Sequence, residues 1–253
     1  MSTDISTGPL ANPTTATIGP GLQTTARLVG FLYLFAMALS IFGEAFVRGR
    51  MIVPRDAMQT ATNIAASETL FRLSIVTDLL LYVCDIVLFW GLYVILKRIN
   101  QNGALLATFF RLVETAILAV TTLTAFIALR LLGGGSYLGV FEAAQLQALA
   151  RAFLSVYGIG LSIGFVFLGL GSAVFSYVWL QSRYIPRTLA WLGIVGSLIL
   201  TIFSLATMVF PRVWEVMGMS YMMPMGLYEV GLGLWLLIKG LQTPPVENTP
   251  AFR

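Results

Sequence analysis

The chain has 253 residues, 58% of them hydrophobic and only 10% charged, with a mean hydropathy of +0.87; a soluble domain is nearer half apolar and a quarter charged, so this is the composition of a membrane protein. The net charge is +4 with no basic block resembling a nucleic-acid footprint, which excludes nucleic acid as a partner. There is no histidine and one cysteine, Cys84, which removes disulfide frameworks, cysteine zinc sites, histidine-ligated haem and Ser-His-Asp chemistry, and leaves no metal or cofactor to expect.

Residues 1–24 are rich in Ser, Thr, Pro and Gly and read as a disordered tail, as do residues 242–253. Between them, six segments approach the roughly 20 apolar residues that a bilayer-spanning helix needs. They are Leu28 to Val47, Leu73 to Leu96, Ala104 to Leu132, Phe153 to Leu180, Thr188 to Phe210 and Gly226 to Ile238. The last is short unless the preceding MGMSYMMPM also enters the membrane. This pattern predicts an all-α polytopic membrane protein: a six-transmembrane-helix bundle over residues 25–241, with short interfacial helices in the outer loops. In the first outer loop Asp56 is placed to cap a short helix, and Ser67 to cap the second span. In the second, Leu146, Leu149 and Phe153 share a face after a GGGS turn, as in a helix lying at the interface. Trp179, Trp191, Trp214 and Trp235 fall towards span ends and suit an interfacial belt.

An even number of spans puts both termini on one side. The short loops of that side carry Lys97, Arg98, Arg183 and Arg187, and Lys239 closes the last span. Positive charge concentrated in short loops marks the cytoplasmic side, so both termini are expected there.

Charges inside the spans are the informative residues, because an ionisable group in hydrocarbon is costly and tends to mark a site. At ~1.5 Å per residue, Asp85 lies roughly 18 Å from Lys97 and Glu229 roughly 15 Å from Lys239. The turn near Asn100 folds the second and third spans into a hairpin, which sets Glu114 level with Asp85 and Arg111 one turn nearer the cytoplasm. Asp85, Arg111, Glu114 and Glu229 therefore converge near the bilayer midplane as a substrate-binding or proton-binding group. With every member ionised, burial of the excess negative charge is prohibitive. Either one or two carboxylates hold a proton, or the site holds water or a cation. The structural alternative is a buried Arg111 pair, with Asp85 or Glu114, that fixes which helices touch. Glu44 and Asp78 lie nearer the outer interface, where Arg48, Arg50 and Arg72 are available. Glu44, Arg72 and Asp78 thus form an outer polar layer that neutralises itself or reaches water.

The fourth span places Gly160, Gly164 and Gly171 on one face. Small residues let helix backbones approach closely, against a neighbour in the same chain or, alternatively, across a homodimer.

Six strings complete the picture: TARLVGFLYL from Thr25, IVPRDAMQTATNI from Ile52, LFRLSIVTDLL from Leu70, FRLVE from Phe110, YIPRTLAWLG from Tyr184 and YEVGLGLWLLIKG from Tyr228. In this order they resemble the bacterial membrane family called domain of unknown function 4386, over nearly all of Thr25 to Gly240. The resemblance implies a multi-pass protein of the bacterial inner membrane and implies no activity. It puts Asp56, Asn63, Arg72, Asp78, Arg111, Glu114, Pro186, Arg187 and Glu229 in motif positions, while Asp85 lies outside the strings.

The functional expectation is a small transporter or membrane-embedded ligand-binding protein, its partners the lipid bilayer and a small molecule or proton. A structural or regulatory subunit, whose buried charges only set helix packing, is the alternative. An intramembrane lipid-modifying enzyme ranks last, because neither a nucleophile–base pair nor a metal-ligand set is visible.

Overall fold

A computed structural model describes residues 18–218 and 220–243, with the side chains of Tyr137, Pro211, Trp214 and Glu215 left aside. The described residues are helical and contain no strand. Six helices are long and apolar enough to cross a membrane.

The first, α1 (Pro20–Met51), opens with Gly19 extended and proline in its first turn, where a missing N–H leaves nothing unpaired. The helix thus starts ahead of the expected residue 25. Its stretch Ile41–Arg48 is wound as a π-helix. Helix α2 (Ala57–Ala66) follows, capped by Asp56, whose carboxylate accepts from the Gln59 amide at 2.8 Å. Helix α3 (Glu68–Leu96) begins after Ser67, which occupies the cap position without a side-chain bond. Asn100 turns the chain and caps α4 (Gln101–Leu132), accepting from Gly103 N at 2.8 Å.

Helix α5 (Ala143–Ser182) is a single helix of 40 residues, started by a capping box between Glu142 and Gln145. The expected interfacial helix around Leu146 and Leu149 is therefore the first part of this span. No proline or glycine interrupts Ala143 to Tyr157, so helical propagation carries straight through. At ~1.5 Å per residue the helix is roughly 60 Å long, more than the whole bilayer thickness. Pro186 ends the turn before α6 (Arg187–Val209), and α7 (Pro211–Met217) leads towards a 3₁₀ turn, Ser220–Met222, and α8 (Met223–Ile238). The 3₁₀ turn extends the short last span to Ser220–Ile238.

The spans form a closed ring in chain order, α1–α3–α4–α5–α6–α8, with α8 back against α1. The closure is tight at Gly30, where a Cβ would lie 2.7 Å from the Gly233 carbonyl oxygen. The ends are clipped together: the Gln23 amide donates to the Leu241 carbonyl at 2.8 Å and accepts from its N–H at 2.9 Å. Two apolar cores fill the ring. One surrounds Leu88, Phe89, Leu92, Trp179 and Leu232 near the termini; the other surrounds Ile64, Phe71, Leu129 and Leu154 near the opposite loops. Trp179 is fully buried in the first core, whereas Trp191 is exposed; an interfacial belt thus accommodates the second and not the first. The Trp214 side chain and both chain ends, 1–17 and 244–253, lie outside what the structure describes.

Candidate functional site

Between the two cores lies a polar band. Arg111 of α4 is buried, and its Nη1 lies 3.0 Å from Glu114 Oε2 one turn along the same helix. The contact is close but poorly aligned, and Glu114 Oε2 has no hydrogen-bond donor. The guanidinium lies over the Phe89 ring of α3, 4.5 Å from its centroid, and its Nη1 faces Ser172 Oγ of α5 at 3.5 Å. A delocalised cation on an aromatic face recovers part of the solvation it loses on burial. Gly171 makes this possible: a Cβ there would lie 2.9 Å from Arg111 Cγ and 3.1 Å from the Ala107 carbonyl oxygen. Gly160 and Gly164 sit in the same way against Thr121 and Leu118. The small-residue face is thus covered by α4 inside one chain.

Asp85 of α3 is buried and lies within electrostatic reach of Arg111 and Glu229. Glu229 of α8, partly buried, feels Arg111 as well. Neither carboxylate makes an ion pair within 4.0 Å among the described residues. Tyr33 of α1 and Tyr228 of α8, both buried, complete the surroundings: each lies within reach of Glu229 and Arg111, and the Tyr228 hydroxyl sits beside Ser176. Asp85, Arg111, Glu114 and Glu229 are therefore brought together from three helices, with only Glu114 in contact with the cation.

A second cluster lies nearer the loops opposite the termini. Arg48, 2% exposed, bridges Glu44 at 2.8 Å and Asp78, and donates more weakly to the Ser74 carbonyl. Its guanidinium lies 4.7 Å from the Tyr157 ring centroid, and the Tyr157 hydroxyl donates to Glu44. Arg48 Nε has no partner. Arg72 stands apart from this group. It is half-exposed and pairs with Glu68 at 2.6 Å, its i−4 neighbour. The cation of the second cluster is thus Arg48, and its setting is drier than an interfacial layer open to water. The π-helical stretch carries both Glu44 and Arg48, and π-turns inside α-helices are frequent at functional sites.

Two cavities lie away from both clusters. One of about 100 Å³ is bounded by Glu68, Arg72, Arg130 and the Gly133–Gly135 turn; the other, about 510 Å³, is an apolar groove between α4 and α5 on the outside of the ring. No group of three or more metal-ligating side chains occurs among the described residues.

Residues 28–240 match the family described as a domain of unknown function, DUF4386. The chain belongs to this family. No curated protein and no solved structure matches it. Of the positions that carry the resemblance to DUF4386, Arg111, Glu114 and Glu229 belong to the first cluster and Asp78 joins the second. Asp56 caps α2, and Asn63 donates to the Met51 carbonyl at 3.1 Å. Asp85, outside the recognised strings, sits with the midplane group. Charge counting along this DUF4386 chain passes over Tyr33, Tyr82, Tyr157 and Tyr228. Their signal is a phenol inside an apolar span, where a hydroxyl needs a polar partner.

Proposed function

We propose that this membrane protein is a small transporter or membrane-embedded ligand-binding protein whose midplane group binds and releases a proton. The observation that carries the reading is the imbalance around Arg111: three carboxylates on three helices converge on one cation, and only Glu114 touches it. A closed ion pair needs one carboxylate. Asp85 and Glu229 lie beyond it, buried or partly buried without counter-ions, where a bound proton or a ligand's positive group removes the cost of their charge. Arg111, once drawn from Glu114, offers a planar fork for an anionic group. The bacterial inner membrane, with both termini in the cytoplasm, is the setting that fits the short basic loops.

The competing reading is a structural or regulatory subunit. The Arg111–Glu114 pair, sealed against Phe89 and Gly171, favours it, since a pair of this kind also fixes helix register. A hydrophobic carbodiimide separates the two, because it modifies carboxyl groups that are protonated inside a membrane. The expected outcome is mass-spectrometric labelling at Glu229 or Asp85 in the purified protein, lost in Glu229→Gln if Glu229 is the carrier. Both single variants, Glu229→Gln and Asp85→Asn, should keep the wild-type melting temperature in detergent. Absence of label at both carboxyls, with a large stability change in either variant, would sink the proposal in favour of the structural reading.

A further inference from the structure

Asp78, Tyr82 and Asp85 occupy positions i, i+4 and i+7 of α3, which share one face, and all three are buried. Tyr82 stands between the two polar clusters, roughly 6 Å along the axis from Asp78 and roughly 4.5 Å from Asp85. Its hydroxyl meets Thr122 Oγ1 of α4 at 2.9 Å, and because Thr122 itself donates to the Leu118 carbonyl at 3.0 Å, one turn towards Glu114, Tyr82 is the donor of the pair. Tyr82 lies within electrostatic reach of Asp78, Arg48 and Glu44. Thr122 is on the buried face of α4 two turns from Glu114, and its Cβ tilts towards the α4 N-terminus, hence towards the midplane. Asp85 tilts the opposite way, towards Tyr82, because α3 runs antiparallel to α4. A phenylalanine and a valine would fill the same space without a polar group to satisfy in the bilayer.

We propose that the Tyr82–Thr122 pair is a proton relay, which loads the midplane group from the loop face opposite the termini by way of the Glu44–Arg48–Asp78 cluster. This rests on the proton-binding reading of the midplane group and adds the direction from which the proton arrives. The charged and titratable groups around Tyr82 are Glu44 and Arg48 on α1, Asp78 on α3 and Tyr157 on α5, with Asp85 about one helical turn further in on α3 and Glu114 about two turns further in on α4. A proton taken up at Asp78 or Glu44 passes to the Tyr82 oxygen as Tyr82 releases its own to Thr122. Thr122 in turn gives up the proton it held against the Leu118 carbonyl, and a water entering between α3 and α4 carries it inwards to Asp85. Each hydroxyl gains one proton and loses one, so both end neutral, while the outer carboxylate ends ionised and Asp85 protonated.

Infrared spectroscopy of the full chain in lipid nanodiscs tests this. A protonated carboxyl has a carbonyl stretch that shifts when D₂O replaces H₂O, and Asp85→Asn and Glu229→Gln assign the midplane part of that band. In Tyr82→Phe and Thr122→Val the midplane band should keep its amplitude while its deuterium shift slows by on the order of 10²-fold, the scale on which one positioned proton-transfer group acts. Both substitutions preserve shape and leave every charge in place, so folding is retained. An unchanged exchange rate in both variants overturns the relay and leaves the midplane reading standing. A rate slowed instead by Tyr228→Phe, on the other side of the group, overturns the direction. If the wild type shows no midplane carboxyl band, the proton-binding reading falls and the relay falls with it.

Discussion

Arg48 and Arg111 solve one problem in the same way. Each is a buried cation held by a carboxylate of its own helix within one turn, with an aromatic ring against the guanidinium face. Removing one partner of such a pair is more damaging than removing both, because a lone buried charge remains. Arg111→Met should therefore lower stability by about 3–5 kcal/mol, and Arg111→Met combined with Glu114→Gln should recover most of that loss. Thermal unfolding in detergent measures both, and losses that simply add would show that the two side chains are uncoupled. At this scale the sequence is informative about charge and silent about partner: spacing offers Arg48, Arg50 and Arg72 to the second cluster alike. Tertiary contact selects Arg48, because the π-helical turn brings it inwards while Arg72 is satisfied by Glu68 at the surface.

Among the elements, the long α5 shows how glycine position matters more than glycine number. Gly171 faces Arg111 and the α4 backbone, whereas Gly158 faces open space outside the ring. Gly171→Ala should cost about 1–3 kcal/mol by overpacking, and it should also displace Arg111. Gly158→Ala should be neutral or stabilise by roughly 0.5–1 kcal/mol, the ordinary preference of a helix for alanine. Melting temperatures of the two variants, side by side, check this; equal effects would remove the close α4–α5 approach from the account of the site. The same helix shows where hydropathy stops being a guide to length. Apolar composition marks where a segment can cross a bilayer, but a polar, well-capped stretch such as Ala143 to Ala152 continues the helix just as readily.

For the molecule as a whole, ring closure converts six separate spans into one enclosed polar band. Closing α8 onto α1 brings Glu229 and Tyr228 to a group otherwise built on α3 and α4. The proposed orientation across the membrane rests on the short basic loops, and Cys84, buried in the first core, gives a quiet background for measuring it. Single cysteines at Ser136 and Asn102 lie on opposite loop faces and are exposed. A membrane-impermeant maleimide should label Ser136→Cys in intact cells and Asn102→Cys only after permeabilisation. The reverse pattern would place the relay on the cytoplasmic side.

Composition and apolar run length determined on their own that this is an all-helical, six-span membrane protein, because hydrocarbon demands long helices with every backbone group satisfied internally. The rise per residue, mirrored about the Asn100 turn, likewise gave Asp85 and Glu114 a common expected depth. Depth is one coordinate, however, and pairing needs all three. Which carboxylate touches Arg111, which arginine reaches Asp78, and which phenols stand between the clusters depend on helix rotation and on how closely backbones approach. Those were decided only in the tertiary structure, by the π-helical turn, the buried glycines and the closure of the ring.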